Sequence, residues 1–337
     1  MDRRNRPAWA RVRSQAYERA KHIRFSADAP HVQYAAQSSE QRRLEVGRSS
    51  RDTRGRSRMD KPMLGDYRIE GIVGVGRMGV VYLAIDRITG RAVALKVLRD
   101  DVGIDPVYRA RFRREGELLA GLAHPYILPI YGTGEIEGEL YIATRLVSTT
   151  LRHFIVTGTL TIDLAMTVLG RVAVALDAAH AHGVVHRDVK PANVLMDPGP
   201  EVYLGDFGLA RDLDGESLTA PGQVLGTIDY MAPELLDGDG ISAATDIYGL
   251  ACLAVESLTG TVPFPRDTDA AIMYAHIADP PPSVHARRPE LPRALDAVLA
   301  TGMSKDPSDR QSSAGALVAE MLDALGKPVP ACLAQAA

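Results

Sequence analysis

Residues 186–193 have the sequence H-R-D-V-K-P-A-N, and residues 206–208 are D-F-G. The first stretch places a carboxylate at Asp188, an ammonium group at Lys190 and a carboxamide at Asn193. The aspartate of the later triplet lies thirteen residues after Asn193. Carboxylate and carboxamide oxygens bind divalent cations, and a neighbouring carboxylate can orient a hydroxyl nucleophile. The pattern therefore predicts phosphoryl-transfer chemistry.

These two stretches resemble the catalytic loop and the metal-binding triplet of the protein kinases, H-R-D-x-x-x-x-N and D-F-G, with every position matched. An ordinary charged loop is the alternative, but several fixed residues at fixed spacings disfavour chance. The resemblance implies that Asp188 accepts a proton and orients the attacking hydroxyl, and that Lys190 stabilises the transferring phosphoryl group. It assigns metal binding to Asn193 and Asp206. The K-P-x-N sequence at 190–193 is typical of kinases that act on Ser and Thr.

Composition is that of a globular protein with ample material for a core. Hydrophobic residues make up 46% of the 337 residues and charged residues 24%. The two cysteines, Cys252 and Cys332, form no C-x-x-C pair, which disfavours a disulfide framework or a zinc site and fits a reducing compartment. No run of eighteen apolar residues and no secretory leader is present. We therefore expect a cytoplasmic protein without a membrane anchor.

Charge is distributed unevenly along the chain. Residues 1–61 contain 16 Lys and Arg against 7 Asp and Glu, whereas the remainder contains 23 against 35. Apart from a short helical pattern around Trp9–Ile23, this arm has no sustained period, so we expect a largely disordered extension. Nucleic-acid or acidic-membrane binding is the alternative, but aromatic residues are sparse there and a solvated tail is favoured.

A glycine-rich hairpin is predicted near the start of the patterned region. Gly74, Gly76 and Gly79 form a G-x-G-x-x-G motif, which also occurs in dinucleotide-binding folds. The dinucleotide motif requires a helix after the glycines, whereas Val80–Ile85 is rich in β-branched and aromatic residues and predicts a strand. Residues without a Cβ allow backbone N–H groups to approach phosphates closely. The motif therefore favours a phosphate-covering hairpin.

The next strand, Ala92–Leu98, carries Lys96 within an apolar run, where a lysine is costly unless it is paired. In the kinases this lysine binds the α- and β-phosphates and pairs with a glutamate on the following helix. That helix is predicted from Asp105 to about Gly121. Its candidate glutamate is Glu115, which shares a face with apolar residues. Glu117, the competing residue, points about 200° away.

Further nucleotide contacts are implied by the resemblance. Strands are expected at Ile127–Tyr131 and Glu139–Thr144. Thr144 resembles the gatekeeper, and Arg145 to Val147 resemble the hinge that meets adenine, although Arg145 replaces the commoner acidic residue and alters the polarity of the hinge. The residues that the resemblance assigns to ATP binding are Val73, Gly74, Val75, Gly76, Gly79, Val81, Ala94, Lys96, Thr144, Arg145 and Val147.

Helices are predicted beyond about Thr149. Leu164, Val168, Val172 and Leu176 recur every four residues and predict a long amphipathic helix. Further helices are expected at 242–260, 291–301 and 312–325. Short apolar strands at 183–185 and 194–196 are expected to flank the catalytic loop.

The segment after Asp206 resembles a kinase activation segment that ends in A-P-E. Residues 212–223 are polar and lack a period, and we expect autophosphorylation there, at Thr219 first and at Ser217 second. Arg187 is expected to bind the added phosphate.

Three further residues take roles from the same resemblance. Thr227 is expected to contact the catalytic loop, Glu234 to pair with Arg310, and Asp246 to anchor the loop backbone.

Together these features predict an α+β, bilobal protein-kinase fold of the bacterial, actinobacterial-type, eukaryotic-like Ser/Thr class. A small antiparallel β lobe of five strands with one helix is expected at 66–147 and a larger, mainly helical lobe at 148–327, between the arm at 1–61 and a short tail at 328–337. The expected reaction transfers the ATP γ-phosphate to Ser/Thr hydroxyls of proteins with Mg²⁺, or alternatively Mn²⁺, and self-association would allow autophosphorylation in trans. The rival interpretation is a pseudokinase that binds ATP as a signalling scaffold. Such scaffolds usually lack one of the catalytic residues, all of which are present here.

Overall fold

The computed structural model describes residues 63–76, 79–98, 109–110, 112–113, 116, 119–197, 201–207, 228–237, 240–330 and 333. These residues fall into two compact units. One unit holds the described residues up to Gly116 together with Ile130–Leu146. The other holds the described residues from 119 to 129 and those from Val147 onward.

The first unit is an antiparallel sheet of six strands in the order β1-β2-β3-β4-β6-β5. The strands are β1 (Met63–Leu64), β2 (Tyr67–Val75), β3 (Gly79–Asp86), β4 (Ala92–Leu98), β5 (Ile130–Ile136) and β6 (Glu139–Arg145). The predicted count of five was too low by the two-residue β1. The helix predicted between β4 and β5 is represented by helical backbone at residues 109–110, 112–113, 116 and 119–120.

The position of β5 differs from the strand predicted at Ile127–Tyr131. The strand begins only at Ile130 and continues through Gly132 and Gly134, which resemble turn residues in sequence. Ile127 instead forms a parallel bridge to Leu204 within the second unit. Pro129 has no backbone N–H and therefore cannot donate a hydrogen bond within a sheet. The hydrogen-bonding partner of the chain changes at this residue.

Strand alternation gives the sheet one fully buried face. Successive side chains of a strand point to opposite faces, so every second residue of β3 and β4 is buried. The buried cluster comprises Leu64, Ile69, Val80, Tyr82, Ala84, Val93, Leu95, Val97 and Ala143. Full burial of a valine, leucine or isoleucine side chain stabilises the fold by about 1.5–3 kcal/mol. The opposite face of β3 and β4 is only half-buried.

The second unit is mainly helical. Its helices are α1 (Leu151–Val156), α2 (Ile162–Ala181), α3 (Pro233–Asp237), α4 (Ala243–Thr259), α5 (Asp269–Ala278), α6 (Val284–Arg287), α7 (Ala294–Gly302) and α8 (Ala314–Ala324). The long helix predicted from the four-residue period is α2, and the predicted helix at 242–260 is α4. Ser242 and Thr245 form a capping box at the start of α4, and Gly260, with φ of 74°, ends it.

A small sheet in this unit flanks the catalytic loop. It pairs β7 (Thr149–Thr150), β8 (Val194–Met196) and β9 (Val202–Leu204) in that order. The strand predicted at 194–196 is therefore present, whereas the one predicted at 183–185 is wrong. Gly183 has φ of 72°, and the Val184 N–H donates to Ala179 O at the end of α2. The Val184 N–H is therefore used at the end of α2 and is not available for pairing in a strand.

Among the described residues, no helix combines the length and the apolar character that crossing a membrane would require.

Candidate active site

The catalytic loop predicted at 186–193 follows α2 and ends in a 3₁₀ turn, Pro191–Asn193, which leads into β8. Its start is fixed by Asp246, a buried residue of α4. The backbone N–H groups of His186 and Arg187 each donate to one Asp246 carboxylate oxygen at 2.7 Å. His180, at the end of α2, lies 2.7 Å from Asp246 Oδ2. The predicted contact between Asp246 and the loop backbone is therefore present, and His180 is an additional member.

His186 connects the loop to the Asp-Phe-Gly segment. Its ring is buried, lies 4.5 Å from the Phe207 ring between centroids, and has Nε2 2.9 Å from Gly205 O. The Asp188 N–H donates to His186 Nδ1 at 3.2 Å, so the ring proton resides on Nε2. Burial lowers the pKa of His186, and the neutral ring satisfies both partners.

Two predicted catalytic residues, Lys190 and Asn193, contact the predicted proton acceptor Asp188. The Lys190 ammonium lies 2.7 Å from Asp188 Oδ2. The Asn193 Nδ2 group donates to Asp188 O at 2.8 Å and to Asp188 Oδ2 at 3.0 Å. Asn193 is buried and Asp188 is half-buried, so these bonds hold the carboxylate in one orientation.

Backbone strain is concentrated at this site. Three non-glycine residues in the described part of the chain have positive φ, and two of them are Arg187 (64°) and Asp206 (53°). Such conformations cost on the order of 1–3 kcal/mol and persist only where the surroundings enforce them. Next to Asp206, Gly205 is enclosed: an added Cβ would lie 2.6 Å from Leu195 Cδ1. The exposed Asp206 carboxylate is thus presented by a tightly packed segment.

The donor set suits a hard cation. Because the Asn193 amide nitrogen is engaged by Asp188, the amide offers its oxygen, and Asp206 offers carboxylate oxygens. Within the described residues, no group of three or more His, Cys, Asp or Glu side chains could hold a metal. These residues therefore do not form a metal site made of protein ligands alone. One or two protein oxygens completed by phosphate and water is the arrangement that Mg²⁺ favours.

In the first unit, the predicted nucleotide residues share the half-buried face of the sheet. Val81 is paired with Lys96 across β3 and β4 and with Gly74 across β2 and β3. Ala94 is paired with Thr144 across β4 and β6. Cross-strand partners lie on the same face of a sheet. The four side chains and the Cα of Gly74 therefore share one face.

The glycines of the hairpin differ in what encloses them. The Gly76 N–H donates to Gly79 O at 2.8 Å and closes the hairpin. An added Cβ at Gly79 would lie 2.2 Å from Val97 O. An added Cβ at Gly74 would have no neighbour within 4 Å among the described residues. Gly79 is therefore required by packing against β4, and only Gly74 and Gly76 leave room for a ligand.

Three of the remaining predicted nucleotide residues lie towards the ends of strands. Val73 and Val75 belong to β2, and Arg145 is the last residue of β6, paired with Val93. Val147 belongs to the second unit and is half-buried.

Four of the predicted site residues cannot be located in the structure. Glu115, Ser217, Thr219 and Thr227 lie outside the described residues.

The predicted pair of Glu234 and Arg310 is a buried, bidentate ion pair. Arg310 Nη1 and Nη2 donate to the two Glu234 oxygens at 2.7 and 2.9 Å. Thr245 Oγ1 adds a bond of 2.9 Å to Glu234, and Arg310 also donates to Ala244 O. Burial raises the pKa of Glu234, but the bonds and charge of Arg310 outweigh it and hold the pKa below its usual value. The pair joins α3 to the start of α4.

Sequence reasoning missed two polar contacts behind the site. His180, at the end of α2, contacts Asp246. Tyr230 OH donates to the buried Glu256. A histidine at a helix end and a glutamate within an apolar helix were the available signals, but neither identifies its partner.

A sequence profile of the protein kinase domain matches residues 67–323. The chain belongs to the protein kinase family. The solved kinase domain of PknI from Mycobacterium tuberculosis is 31% identical, with a TM-score of 0.66, and the alignment covers 80% of this chain and all of that domain. The α+β protein-kinase fold predicted from the motifs is thus confirmed.

Curated relatives are bacterial Ser/Thr protein kinases. PknH of Mycobacterium bovis is 41% identical over 79% of this chain, and PknJ of the same organism is 45% identical over 74%. PknD of Mycobacterium tuberculosis is 42% identical over 77%. The chain spans 40–45% of the length of these three relatives.

Proposed function

We propose that this chain is an active Ser/Thr protein kinase that transfers the γ-phosphate of ATP to Ser and Thr hydroxyls of protein substrates. The observation that carries the proposal is the cluster of Asp188, Lys190 and Asn193 on one loop. The relatives named as Ser/Thr protein kinases support the same reaction class. A pseudokinase would not need this cluster, and nothing in the comparisons favours one.

In the proposed mechanism, the chain supplies position and charge rather than covalent chemistry. Asp188, held by Asn193, accepts a hydrogen bond from the substrate hydroxyl and receives its proton. Lys190, whose ammonium group lies beside Asp188, would stabilise charge on the transferring phosphoryl group. Lys96 and Glu115 are assigned to phosphate positioning.

Asn193 and Asp206 would hold the metal, for which we propose Mg²⁺ with Mn²⁺ as the alternative. When bound, the cation neutralises phosphate charge. Gly74, Gly76 and the residues paired across β3, β4 and β6 would contact ATP. The protein kinase family generally uses ATP and Mg²⁺.

Regulation and domain limits complete the proposal. We assign the two lobes to 66–147 and 148–327. We place catalysis in the cytoplasm, where ATP is available. We assign autophosphorylation at Thr219 and Ser217 to a second copy of the chain. Nucleic-acid binding by the arm at 1–61 is a weaker alternative, motivated by its excess of basic residues.

The test measures phosphate transfer by the full chain from labelled ATP to a Ser- and Thr-rich protein substrate with Mg²⁺. We expect Asp188→Asn and Asp206→Ala to reduce transfer by at least about 100-fold, because each removes a group that acts in the transition state. Asp323→Asn, an exposed change on α8, serves as the matched control and should retain activity. Melting temperatures should change little in all three variants.

The outcomes separate the two readings. Wild-type protein that binds ATP but transfers no phosphate would favour the pseudokinase. Near wild-type turnover by Asp206→Ala would contradict the assigned mechanism. Phosphosite mapping of ATP-treated wild-type protein beside Asp188→Asn tests Thr219 and Ser217, and an active protein unmodified from 212 to 223 would exclude both.

A further inference from the structure

The turn between β5 and β6 contains the third non-glycine residue with positive φ in the described part of the chain. Glu137 has φ of 53° and Gly138 has φ of 86°, and the flanking residues Ile136 and Glu139 are paired. A two-residue turn with positive φ at both central positions matches the twist of its strands. Glutamate is uncommon in this conformation, which persists where the surroundings enforce it. The turn is therefore a defined support for the polar groups beside it.

Two acceptors beside this turn hold Arg109. Its Nη2 lies 2.6 Å from Glu135 Oε2 and donates to Gly138 O at 3.3 Å. Arg113 Nη2 donates to the same carboxylate oxygen. The hydrogen bonds from Arg109 and Arg113 lower the pKa of Glu135, so this carboxylate is ionised at neutral pH. We call the contacts of the two arginines with Glu135 the arginine clamp.

A second contact lies on the same face of this helical segment. Arg109, Arg113 and Gly116 have helical backbone, and their spacings of four and three residues place them on one face. Opposite them, Glu135 and Thr133 are two residues apart in β5 and point to the same side of the strand. An added Cβ at Gly116 would lie 2.8 Å from Thr133 Oγ1. The segment is therefore held against β5 at two points.

The two contacts bracket the residue that the sequence assigns to Lys96. Glu115 lies between Arg113 and Gly116 in the sequence, and the first unit contains all the contacts as well as Lys96. Because consecutive Cα atoms are separated by a fixed distance, contacts of the neighbouring residues restrict the position of Glu115. A misplacement of about 1 Å far from the reacting atoms can reduce the rate on the order of 100-fold. The clamp can therefore affect phosphate transfer without touching ATP.

We propose that Glu135 is a positioning residue for phosphoryl transfer, which holds the helical segment through Arg109 and Arg113 so that Glu115 can serve Lys96. The inference rests on the proposed kinase function and deepens it. The side chains of Arg113 and Glu135 are 48% and 33% exposed. Ion pairs with exposed members add little to stability, so removing the clamp separates positioning from folding.

The first experiment compares two glutamate substitutions in the full chain. Glu135→Ala removes the clamp, whereas Glu70→Ala removes a carboxylate of the same unit that pairs with Arg68 of its own strand. We expect Glu135→Ala to reduce kcat/KM for ATP by at least about fivefold and Glu70→Ala to reduce it by less than about 1.5-fold. Both melting temperatures should lie within about 2 °C of wild type. Equal kinetics of the two variants would overturn the proposal.

A double-mutant cycle tests whether Glu135 acts through Glu115. Glu115→Ala alone should reduce transfer, because Lys96 loses its assigned partner. In that background Glu135→Ala should reduce kcat/KM by less than about 1.5-fold, because the residue that the clamp positions is already absent. An equal loss in both backgrounds would show that Glu135 acts by another route and would overturn the proposal.

Substitution of the two arginines provides an independent check. Arg109→Gln combined with Arg113→Gln should reproduce the loss caused by Glu135→Ala, and adding Glu135→Ala to this pair should cause no further loss. Glu135→Gln keeps an acceptor oxygen without the charge and should have intermediate kinetics. Wild-type kinetics in the double arginine variant would contradict the clamp.

ATP affinity separates this inference from the proposed function. Calorimetric titration with ATP and Mg²⁺ does not require phosphate transfer, and we expect the Kd of Glu135→Ala to be at least about threefold above that of wild type and of Glu70→Ala. Wild-type protein that binds ATP without transferring phosphate would overturn the proposed function alone. In that case, equal Kd values for wild type and Glu135→Ala would overturn the inference as well.

Discussion

The catalytic loop at 186–193 is anchored by a helix sixty residues away in sequence, whereas the glycine hairpin around 74–79 is held by the strands beside it. In the loop, side chains from α2 and α4 fix the backbone through Asp246. In the hairpin, the Gly76 to Gly79 backbone bond and the packing of Gly79 on β4 fix the shape.

The catalytic loop, in the second unit, and the glycine hairpin, in the first unit, resist change in different ways. The loop carries strain at Arg187 and needs buried polar partners to maintain it. The described residues of the hairpin, 74–76 and 79, are held by backbone bonds and packing and carry no titratable group. Substitutions far from the loop should therefore disturb it, whereas only local steric changes should disturb the hairpin.

The largest expected effect comes from removing the anchor of the loop. Asp246→Ala leaves two backbone N–H groups and His180 without their acceptor, and each buried unsatisfied donor costs about 1–3 kcal/mol. We expect phosphate transfer to fall at least about 100-fold together with the melting temperature, because Asp188 loses its position. Calorimetry and the transfer assay measure the two effects.

Asp323→Ala is the control for Asp246→Ala, since Asp323 is exposed on α8. A variant at 246 with normal transfer would mean that the loop keeps its strained backbone without the anchor. The contrast with the hairpin would then disappear.

A smaller effect is expected on the stability of the folded chain at acidic pH. His276 is buried behind α4, with Nδ1 2.8 Å from Tyr248 OH and the Lys305 ammonium bound to its backbone oxygen. Burial, aided by the Lys305 charge, lowers the pKa of His276 to about 4. The unfolded chain takes up a proton near pH 6.5, while the folded chain does so only near pH 4, so acid lowers the stability between these values. The contribution is up to about 3 kcal/mol.

Urea unfolding from pH 7 to pH 4 tests this sign. The His276→Gln variant should lose less stability than wild type over that range, because glutamine does not titrate. Parallel curves for the two proteins would contradict the assignment. The hairpin offers no comparable acid-sensitive support among its described residues.

The smallest effects sharpen the comparison within the hairpin. Gly79→Ala forces a Cβ against Val97 O and should destabilise the unit by about 1–3 kcal/mol. Gly74→Ala meets nothing within 4 Å and should change the stability by less than about 0.5 kcal/mol, while raising the KM for ATP. Thermal melts and ATP titrations of both variants measure these effects. Similar stability losses would show that the two glycines share one role.

Sequence alone determined the features that depend on close spacing or on a regular period. The loop residues Asp188, Lys190 and Asn193 are separated by few bonds, so the chain itself brings them together. The apolar period of α2 is likewise local, and the helix predicted at 242–260 differs from α4 by one residue at each end.

Only the tertiary structure decided which distant groups meet. The family resemblance predicted the contacts of Asp246 and Glu234, but no local pattern identifies His180, the shift of β5 to Ile130 or the burial of Leu333. Such contacts depend on how helices and strands pack. The number of residues between two groups does not show how close they lie in the folded chain. Gly79 makes the point most directly: its motif suggested a ligand, but its neighbour is the backbone of β4.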